Sequence, residues 1–279
     1  MSQGSAQQKI GFIGWSRESA AVLSALRSRT GEAQHMPWLP LAPARKDAAT
    51  PQHAGLPELP SVEAIFQACD LLFVAPPPKA LSEALPLMRL SISDRHTVVL
   101  LGAGWRLDHM LHHLQERKLV RCNLTEFPAT GAILMTYHTS PYLSPTDRSQ
   151  LEGLFSHLEL ALDIPQEAQF DAALGLTGFA PAAFYTLMEA LADAALVAGL
   201  PRSEARRLIA SMLNHTAAGL LQGETHPAAL REEALTDPAA AAALQELEIA
   251  GVRGVMMRAL EKGLQEQARH RNRSTQTPD

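Results

Sequence analysis

The stretch from Thr177 to Pro201 reads TGFAPAAFYTLMEALADAALVAGLP and decides the second half of the fold. Between Pro181 and Gly199 it is a nearly unbroken series of Ala, Leu, Met and Phe. Pro181 is placed to open a helix at its first turn, and Gly199 followed by Pro201 closes it. A helix that is apolar nearly all round must be buried on most sides. We therefore expect a second layer of helices, from this chain or from another subunit, to cover it.

The first half of the chain has a different pattern, in which short apolar runs alternate with helical periodicity. This alternation is typical of an open parallel α/β sheet. We predict strands near 9–13, 71–75, 97–101 and 121–124, and helices over 19–29 and 106–117. Prolines at 40, 43, 51 and 57 predict a long surface loop over 37–60. After Pro165 the pattern is wholly helical, so the sequence predicts two domains, 1–165 and 166–279.

Composition indicates a globular protein of the cytoplasm. The 279 residues are 46% hydrophobic, enough for a sizeable core, and the net charge of −5 argues against a nucleic-acid surface. The two cysteines, Cys69 and Cys122, provide no disulfide framework and fit a reducing compartment. The N-terminus has no apolar signal region, and no stretch approaches the roughly 18 apolar residues of a membrane span. We therefore expect no membrane partner.

The turn after the first strand is the first candidate binding site. A dinucleotide-binding fold favours Gly-x-Gly-x-x-Gly or Ala at this turn, and here the six residues read GWSRES from Gly14 to Ser19. The first glycine remains, whereas Ser16 occupies the second position. Its β-carbon would crowd a phosphate, although its hydroxyl or the guanidinium of Arg17 could provide hydrogen bonds instead. The alternative, a turn that no longer holds a dinucleotide, stays open at this point.

If a cofactor binds, it should lie at the carboxyl ends of the strands. The candidate cofactor residues at these ends are Gly14, Trp15, Ser16, Arg17, Ala75, Pro76, Pro77, Ala103 and Gly104. The 2′-phosphate of NADP is bound by a cationic side chain, whereas the free ribose 2′-hydroxyl of NAD is bound by an acidic one. Because Arg45 and Lys46 follow the second strand region and no acidic residue ends it cleanly, NADP is favoured over NAD.

The chain resembles pyrroline-5-carboxylate reductases in several motifs that occur in the same order. Residues 189–194, EALADA, and 199–201, GLP, match the family's first helix of the second domain almost letter for letter. The runs KIGFIG at 9–14, CDLLFV at 69–74 and VVLLGAG at 98–104 resemble its sheet strands. GETHP at 223–227 resembles its "GeHP" turn. The resemblance implies a Rossmann-like domain followed by an all-helical dimerisation domain.

It also implies an activity, namely NAD(P)H-dependent reduction of 1-pyrroline-5-carboxylate to proline, or of a related imine, by a cytoplasmic homodimer. The chain departs from the family at two further places. Glu126 stands for the asparagine of Met-Pro-Asn-Thr-Pro, and residues 237–242, DPAAAA, replace a loop that carries paired threonines. Thr236 and Thr177 are then the candidate catalytic hydroxyls, and Glu126, Thr177 and Gly178 the candidate substrate residues. The alternative that these departures imply is a degenerate relative that kept the dimer and acts as a binding or regulatory protein.

Other reaction classes have less support in the sequence. No lysine lies between Lys118 and Lys262, which disfavours β-hydroxyacid dehydrogenases and Schiff-base chemistry in the second domain. A Gly-x-Ser-x-Gly elbow for a serine hydrolase is absent. His109 and His113 have the i, i+4 spacing of metal ligands, but leucines form the core-facing stripe of that helix. We therefore expect surface histidines and no metal.

Overall fold

The protein, represented by a computed structural model, is described over residues 9–30, 36–41, 55–75, 77–102, 104–223 and 225–275. The chain divides into two compact units. The sheet unit comprises Met1–Leu174 and Glu266–Asp279, and the helical unit comprises Gly175–Gln265. A domain boundary after residue 165 remains a prediction, because a single helix that begins at Glu167 belongs to both units.

Within the described residues, seven strands form one sheet in the order β2-β1-β3-β4-β5-β6-β7. The neighbouring strands from β2 to β5 are parallel, β6 is antiparallel to β5, and β7 is parallel to β6. The strands are β1 Ile10–Ile13, β2 Trp38–Leu39, β3 Leu71–Val74, β4 Thr97–Leu101, β5 Lys118–Phe127, β6 Ala132–Thr139 and β7 Leu160–Asp163. The four predicted strands are confirmed, and so is the predicted fold class, a Rossmann-like sheet followed by an all-helical region.

Helices cover both faces of the sheet, which explains why its central strands are apolar without alternation. The helices are α1 Arg17–Thr30, α2 Val62–Ala68, α3 Pro78–Ser91, α4 Leu107–Leu114 and α5 Pro145–Phe155. One hydrophobic cluster joins α2, α3 and α4 to alternate residues of the strands, such as Leu72 and Val98. A second joins α1 and α5 to the residues between them, such as Phe73 and Val99. The sheet unit therefore has a core on each face.

The prediction of a surface loop over 37–60 is wrong for Trp38 and Leu39, which form a buried strand. Their neighbours in β1 are Phe12 and Ile13. Prolines at 37 and 40 flank this strand, where a missing N–H does not interrupt the ladder. The Trp38 N–H donates to the Pro57 carbonyl at 2.9 Å. A strand of two residues is too short to show a periodic pattern, which is why the sequence missed it. Residues 42–54 lie outside the described part of the chain.

The second half is helical, as predicted. Its helices are α6 Glu167–Val197, α7 Arg202–Leu221, α8 Pro227–Ala234, α9 Pro238–Ile249 and α10 Val252–Thr275. The prediction that Pro181 opens a helix is wrong, because Pro181 lies inside α6. Ala- and Leu-rich sequence already forms the helix from Glu167 onward, and the proline removes one N–H from it.

The predicted end of α6 at Gly199 is confirmed. Gly199 has a φ of +98°, and the N–H of Leu200 donates to the Ala195 carbonyl at 3.0 Å. The N–H of Gly199 donates to the Leu196 carbonyl at 3.0 Å. This pair of hydrogen bonds is a Schellman motif, in which a left-handed glycine ends the helix.

The helical unit leaves large apolar side chains exposed in the single chain. Phe184, Tyr185, Leu191 and Val197 of α6 are all more than half exposed, and Val197 reaches 90%. By contrast, the buried core within this unit consists of Ala192, Ala205 and Ile209 among the described residues. The sequence expectation that α6 is covered on most sides is therefore not met inside one chain.

The expectation that no stretch is apolar enough for a membrane span is wrong for one helix, by length and composition alone. α6 has 31 residues and, within the described chain, is the helix that meets this criterion. Its abundant alanine and leucine raise its mean hydropathy. The same composition suits a helix packed between other protein helices.

Gly11 in β1 provides a test of the packing between the sheet and α2. A β-carbon at Gly11 would lie 2.6 Å from the Cys69 sulfur and 3.4 Å from Ile65 Cδ1, so something must move. We expect Gly11→Ala to lower the free energy of unfolding by about 1–3 kcal/mol, the usual cost of overpacking. The loss should be smaller in a Cys69→Ala background, which removes the clashing sulfur.

Urea unfolding at one fixed protein concentration measures both effects. The matched control is Gly153→Ala, because the exposed Gly153 lies inside α5 with open space around a new β-carbon. That control should be neutral or stabilise by up to about 1 kcal/mol. Equal unfolding midpoints for Gly11→Ala and the wild type would contradict the packing described.

Candidate functional site

The strand order indicates a candidate site at one edge of the sheet, namely the edge formed by the carboxyl ends of the parallel strands. From β1 the chain passes to β2 on one side, and then returns to β3 on the other side of β1. Ligands of open α/β sheets bind at such a switch point, outside the carboxyl ends of the strands. Here the switch point lies between the ends of β1 and β3, at Gly14 and Ala75. Both are candidate cofactor residues from the sequence.

The turn from Gly14 to Ser19 leads from β1 into α1. Gly14 is buried with a φ of +71°, a conformation that glycine adopts readily, and its N–H donates to the Leu39 carbonyl at 2.8 Å. Trp15 contacts Phe12 edge to face, with ring centroids 5.3 Å apart. The Ser19 N–H donates to the Ser16 hydroxyl, and the Ser16 N–H to the Ser19 hydroxyl, both at 3.3 Å. Ser16 therefore caps α1, which gives its side chain a structural task.

The first turn of α1 also carries an ion pair that links it to β5. Arg17 Nε lies 3.4 Å from Glu126 Oε2, with side chains 68% and 24% exposed. The pair joins a candidate cofactor residue to a candidate substrate residue across 109 positions of sequence. The two sequence predictions thus meet at one edge of the sheet, beside helix N–H groups that have no partner within the helix.

The ends of β3 and β4 complete this edge. The N–H of Ala75 donates to the Ile13 carbonyl at 2.9 Å, and Pro77 precedes α3. Gly102 follows β4 with a φ of +97°, and a β-carbon at Gly104 would meet nothing within 4 Å. The remaining candidates here, Pro76 and Ala103, lie outside the described residues, as do Arg45 and Lys46.

The other predicted substrate and catalytic residues belong to the helical unit. Thr177 and Gly178 lie within α6, and Thr236 is an exposed residue just before α9. The segment from Asp237 that replaces the family's threonine loop is the start of α9, where Asp237 Oδ1 accepts the Ala240 N–H at 2.8 Å. The predicted substrate residues are thus divided between two units, since Glu126 lies in β5 of the sheet unit.

Sequence reasoning missed a buried charge network beside this edge. Arg121 in β5 has a completely buried side chain, and its Nη1 lies 3.1 Å from Glu167 Oε1 and 2.7 Å from Asp171 Oδ1. Its guanidinium also stacks on Phe170, 4.5 Å from the ring centroid. Arg106, just before α4, approaches the same two carboxylates at 3.5 and 3.4 Å. The sequence did contain a signal for this network. Arg121 stands within the apolar run of a predicted strand, and Glu167 and Asp171 are spaced four residues apart.

The histidines of α4 and the histidine before α8 have structural surroundings in the described part of the chain. His109 Nε2 and His113 Nε2 lie 3.3 Å apart on α4, and burial together with the neighbouring His109 lowers the pKa of His113. Among the described residues, no three His, Cys, Asp or Glu side chains gather as a metal site requires. His226 Nδ1 accepts the Ala228 N–H at 3.1 Å and caps α8, which is a structural role.

Comparison with known proteins connects these features to one family. A family model described as "Pyrroline-5-carboxylate reductase dimerisation" matches residues 167–270. A pyrroline-5-carboxylate reductase of Escherichia coli (strain K12) is 27% identical over 262 residues, which cover 92% of this chain and 96% of that protein. Pyrroline-5-carboxylate reductase 3 of Rattus norvegicus is 30% identical over 259 residues, covering 91% and 93%.

Solved structures show the same fold. A Plasmodium falciparum pyrroline carboxylate reductase with NADP bound superposes with a TM-score of 0.76 at 19% identity, covering 95% of this chain and 98% of that chain. A pyrroline-5-carboxylate reductase from Coxiella burnetii gives a TM-score of 0.75 at 18% identity, covering 98% and 100%. Given the nearly full-length match to relatives up to 30% identical, the chain belongs to the pyrroline-5-carboxylate reductase family.

Proposed function

We propose that this protein is an oxidoreductase that uses NAD(P)H to reduce a cyclic imine, 1-pyrroline-5-carboxylate to proline or a related imine. The observation that carries the proposal is the nearly full-length similarity to reductases of this name, which extends through both units. The switch point at the ends of β1 and β3 supports it, because a dinucleotide binds at such an edge. We propose the cytoplasm as its compartment, which fits two free, buried cysteines.

The residues at the sheet edge fit a dinucleotide. Gly14 provides the tight turn, and the first turn of α1 offers N–H groups to a pyrophosphate. Arg17 adds an exposed cation, and Gly102 and Gly104 leave open space at the end of β4. We propose NADP as the cofactor, with NAD as the alternative. Ser16 fits least well, since its β-carbon stands where the family's second glycine lets a phosphate approach.

The reaction transfers a hydride to the imine carbon and a proton to the imine nitrogen, so that the C=N bond becomes a C–N single bond. A bound nicotinamide supplies the hydride. The chain must then hold the substrate against it and allow a proton to reach nitrogen, from a hydroxyl or from water. We propose Glu126, Thr177 and Gly178 as substrate contacts, and Thr236 and Thr177 as the hydroxyl donors.

A second candidate is a dimer that binds or regulates and has lost the reaction. It is favoured by Ser16 in the nucleotide turn and by the α9 helix start that occupies the family's threonine loop. NADPH binding separates the two, because reduction requires it and the alternative does not.

The first test concerns the ion pair at the nucleotide turn. Glu126→Gln should tighten NADPH binding about three- to fivefold, since it removes a negative charge near the pyrophosphate and frees Arg17. A surface ion pair is worth up to about 1 kcal/mol, and a tenfold change in affinity is about 1.4 kcal/mol. Quenching of Trp15 fluorescence during titration measures the dissociation constant.

Two variants control this test. Arg17→Ala should weaken binding, and Glu159→Gln, which removes an exposed carboxylate elsewhere in the sheet unit, should leave it unchanged. Weaker binding in Glu126→Gln would contradict competition between Glu126 and the phosphates. Absence of NADPH binding by every variant and the wild type would refute the reductase proposal.

The second test concerns catalysis. With the family's paired threonines replaced, we expect 1-pyrroline-5-carboxylate reduction to be about 10- to 100-fold slower than the usual enzyme rate of roughly 10 per second. Thr236→Val keeps the shape and removes the donor, so it should lower the rate further. The control is Thr186→Val, an exposed threonine of α6 whose hydroxyl donates to the Ala182 carbonyl. Steady-state assays that show an undiminished Thr236→Val enzyme would remove Thr236 from the mechanism.

The third test concerns assembly. We propose an obligate homodimer through the helical unit, because its exposed apolar side chains need a cover and its sequence matches a dimerisation model. Leu191→Glu should break the dimer, whereas Leu90→Glu, at an even more exposed leucine of α3, should not. Light scattering at micromolar concentration decides this, and a monomeric wild type would overturn the proposal.

A further inference from the structure

The Glu167 carboxylate is shared between two other elements of the sheet unit, β5 and the start of α4. Its side chain is only 13% exposed and stands at the first residue of α6. Its Oε1 lies 3.1 Å from Arg121 Nη1 and also accepts the Leu107 N–H at 2.5 Å. Its Oε2 accepts the Asp108 N–H at 3.3 Å and lies 3.5 Å from Arg106 Nη2. One carboxylate thus contacts a buried arginine of β5 and the first turn of α4.

The contacts with α4 amount to a helix cap supplied from another element. Arg106, the residue before α4, makes no capping hydrogen bond with its own side chain. The first N–H groups of a helix have no partner within it, and a negative charge at this end is favourable. Glu167 satisfies two of these groups. The position of α4 therefore depends on a residue 60 positions later in sequence.

The segment between β4 and α4, of which residues 102 and 104–106 are described, is held at both of its ends. At the β4 end, the Gly102 N–H donates to the Cys122 carbonyl at 3.0 Å. At the α4 end, Arg106 pairs with Glu167, and the following N–H groups donate to it. Trp105 is buried between these ends. Gly104, a candidate cofactor residue, lies in the middle of this β4–α4 loop.

We infer that Glu167 is a positioning residue, which holds the β4–α4 loop in the conformation that receives the dinucleotide. The inference rests on the proposed function, because it assumes that a dinucleotide lies against Gly104. Without the Glu167 carboxylate, the first turn of α4 frays and the loop samples conformations that do not bind. Only the fraction of protein in the competent loop conformation then binds the dinucleotide. The apparent affinity is the intrinsic affinity multiplied by that fraction.

The test compares two substitutions in the same charge network. Glu167→Gln removes the anionic cap of α4. Asp171→Asn also removes one negative charge that faces Arg106 and Arg121, but it leaves the cap in place. A lost cap is worth about 1 kcal/mol, which corresponds to roughly a fivefold change in affinity. Glu167→Gln should therefore raise the dissociation constant of NADPH about fivefold. Asp171→Asn should leave it within about twofold of the wild type.

Hydrogen exchange gives a readout that does not depend on activity. The amides of Leu107 and Asp108 should exchange faster in Glu167→Gln than in Asp171→Asn. NADPH should slow their exchange in the wild type, because coupling between two equilibria is reciprocal. Glu167→Asp is the second variant in case Glu167→Gln does not fold. It keeps a negative charge in the network but draws the carboxylate back toward α6 and away from the α4 N–H groups, so it should show the same weaker NADPH binding.

The outcomes separate this inference from the proposed function. A wild type that binds no NADPH overturns the proposed function, and the inference with it. A wild type that binds NADPH, with equal dissociation constants in Glu167→Gln and Asp171→Asn, overturns the inference alone. A merely structural role for Glu167 would lower the folded fraction of Glu167→Gln and Glu167→Asp and leave the NADPH affinity of the folded protein unchanged, which also overturns the inference.

Discussion

The buried guanidinium of Arg121 is the constraint on which the sheet unit depends. Removing such an ion from water costs several kcal/mol, so a single carboxylate partner would compensate poorly. Here Glu167 and Asp171 both face it, and the ring of Phe170 lies against it. Because these three residues lie within about one turn of α6, the start of that helix is fixed over β5. The ion pairs of Arg121 form in only one register of α6 on β5. A hydrophobic contact would hold the helix on the strand with less specificity for that register.

The two units follow different physical rules. The sheet unit buries its apolar strands under helices on both faces, and a core lies on each face within the chain. In the helical unit, Ala192, Ala205 and Ile209 are buried, while large side chains such as Phe184 and Tyr185 remain exposed. Small residues between helices allow close approach, and large exposed residues are available for contacts beyond the chain. One unit thus buries its large apolar side chains within the chain, whereas the other leaves many of them exposed.

How much the sequence reveals depends on the range of the forces involved. Apolar runs such as 71–74 and 97–101 identify strands because burial on both faces leaves a continuous signal. Local rules failed where the surrounding structure overrode them, as at Pro181, which the helix accommodates. The contact between Arg17 and Glu126 could not be read at all, since nothing local links residues 109 apart. For the candidate site, the sequence proposed single residues but not their pairing, and it overlooked the Arg121 network entirely.

The close packing of Gly11 against Cys69 has a consequence for the redox chemistry of the chain. Burial raises the pKa of the Cys69 thiol to about 12, and burial raises that of Cys122 as well. A thiol that stays protonated is a poor nucleophile, so neither sulfur should react with oxidants or alkylating reagents while the sheet is closed. Both become reactive when the strands separate. The rate at which a thiol reagent labels these two native cysteines therefore reports how often the sheet opens, without an engineered cysteine.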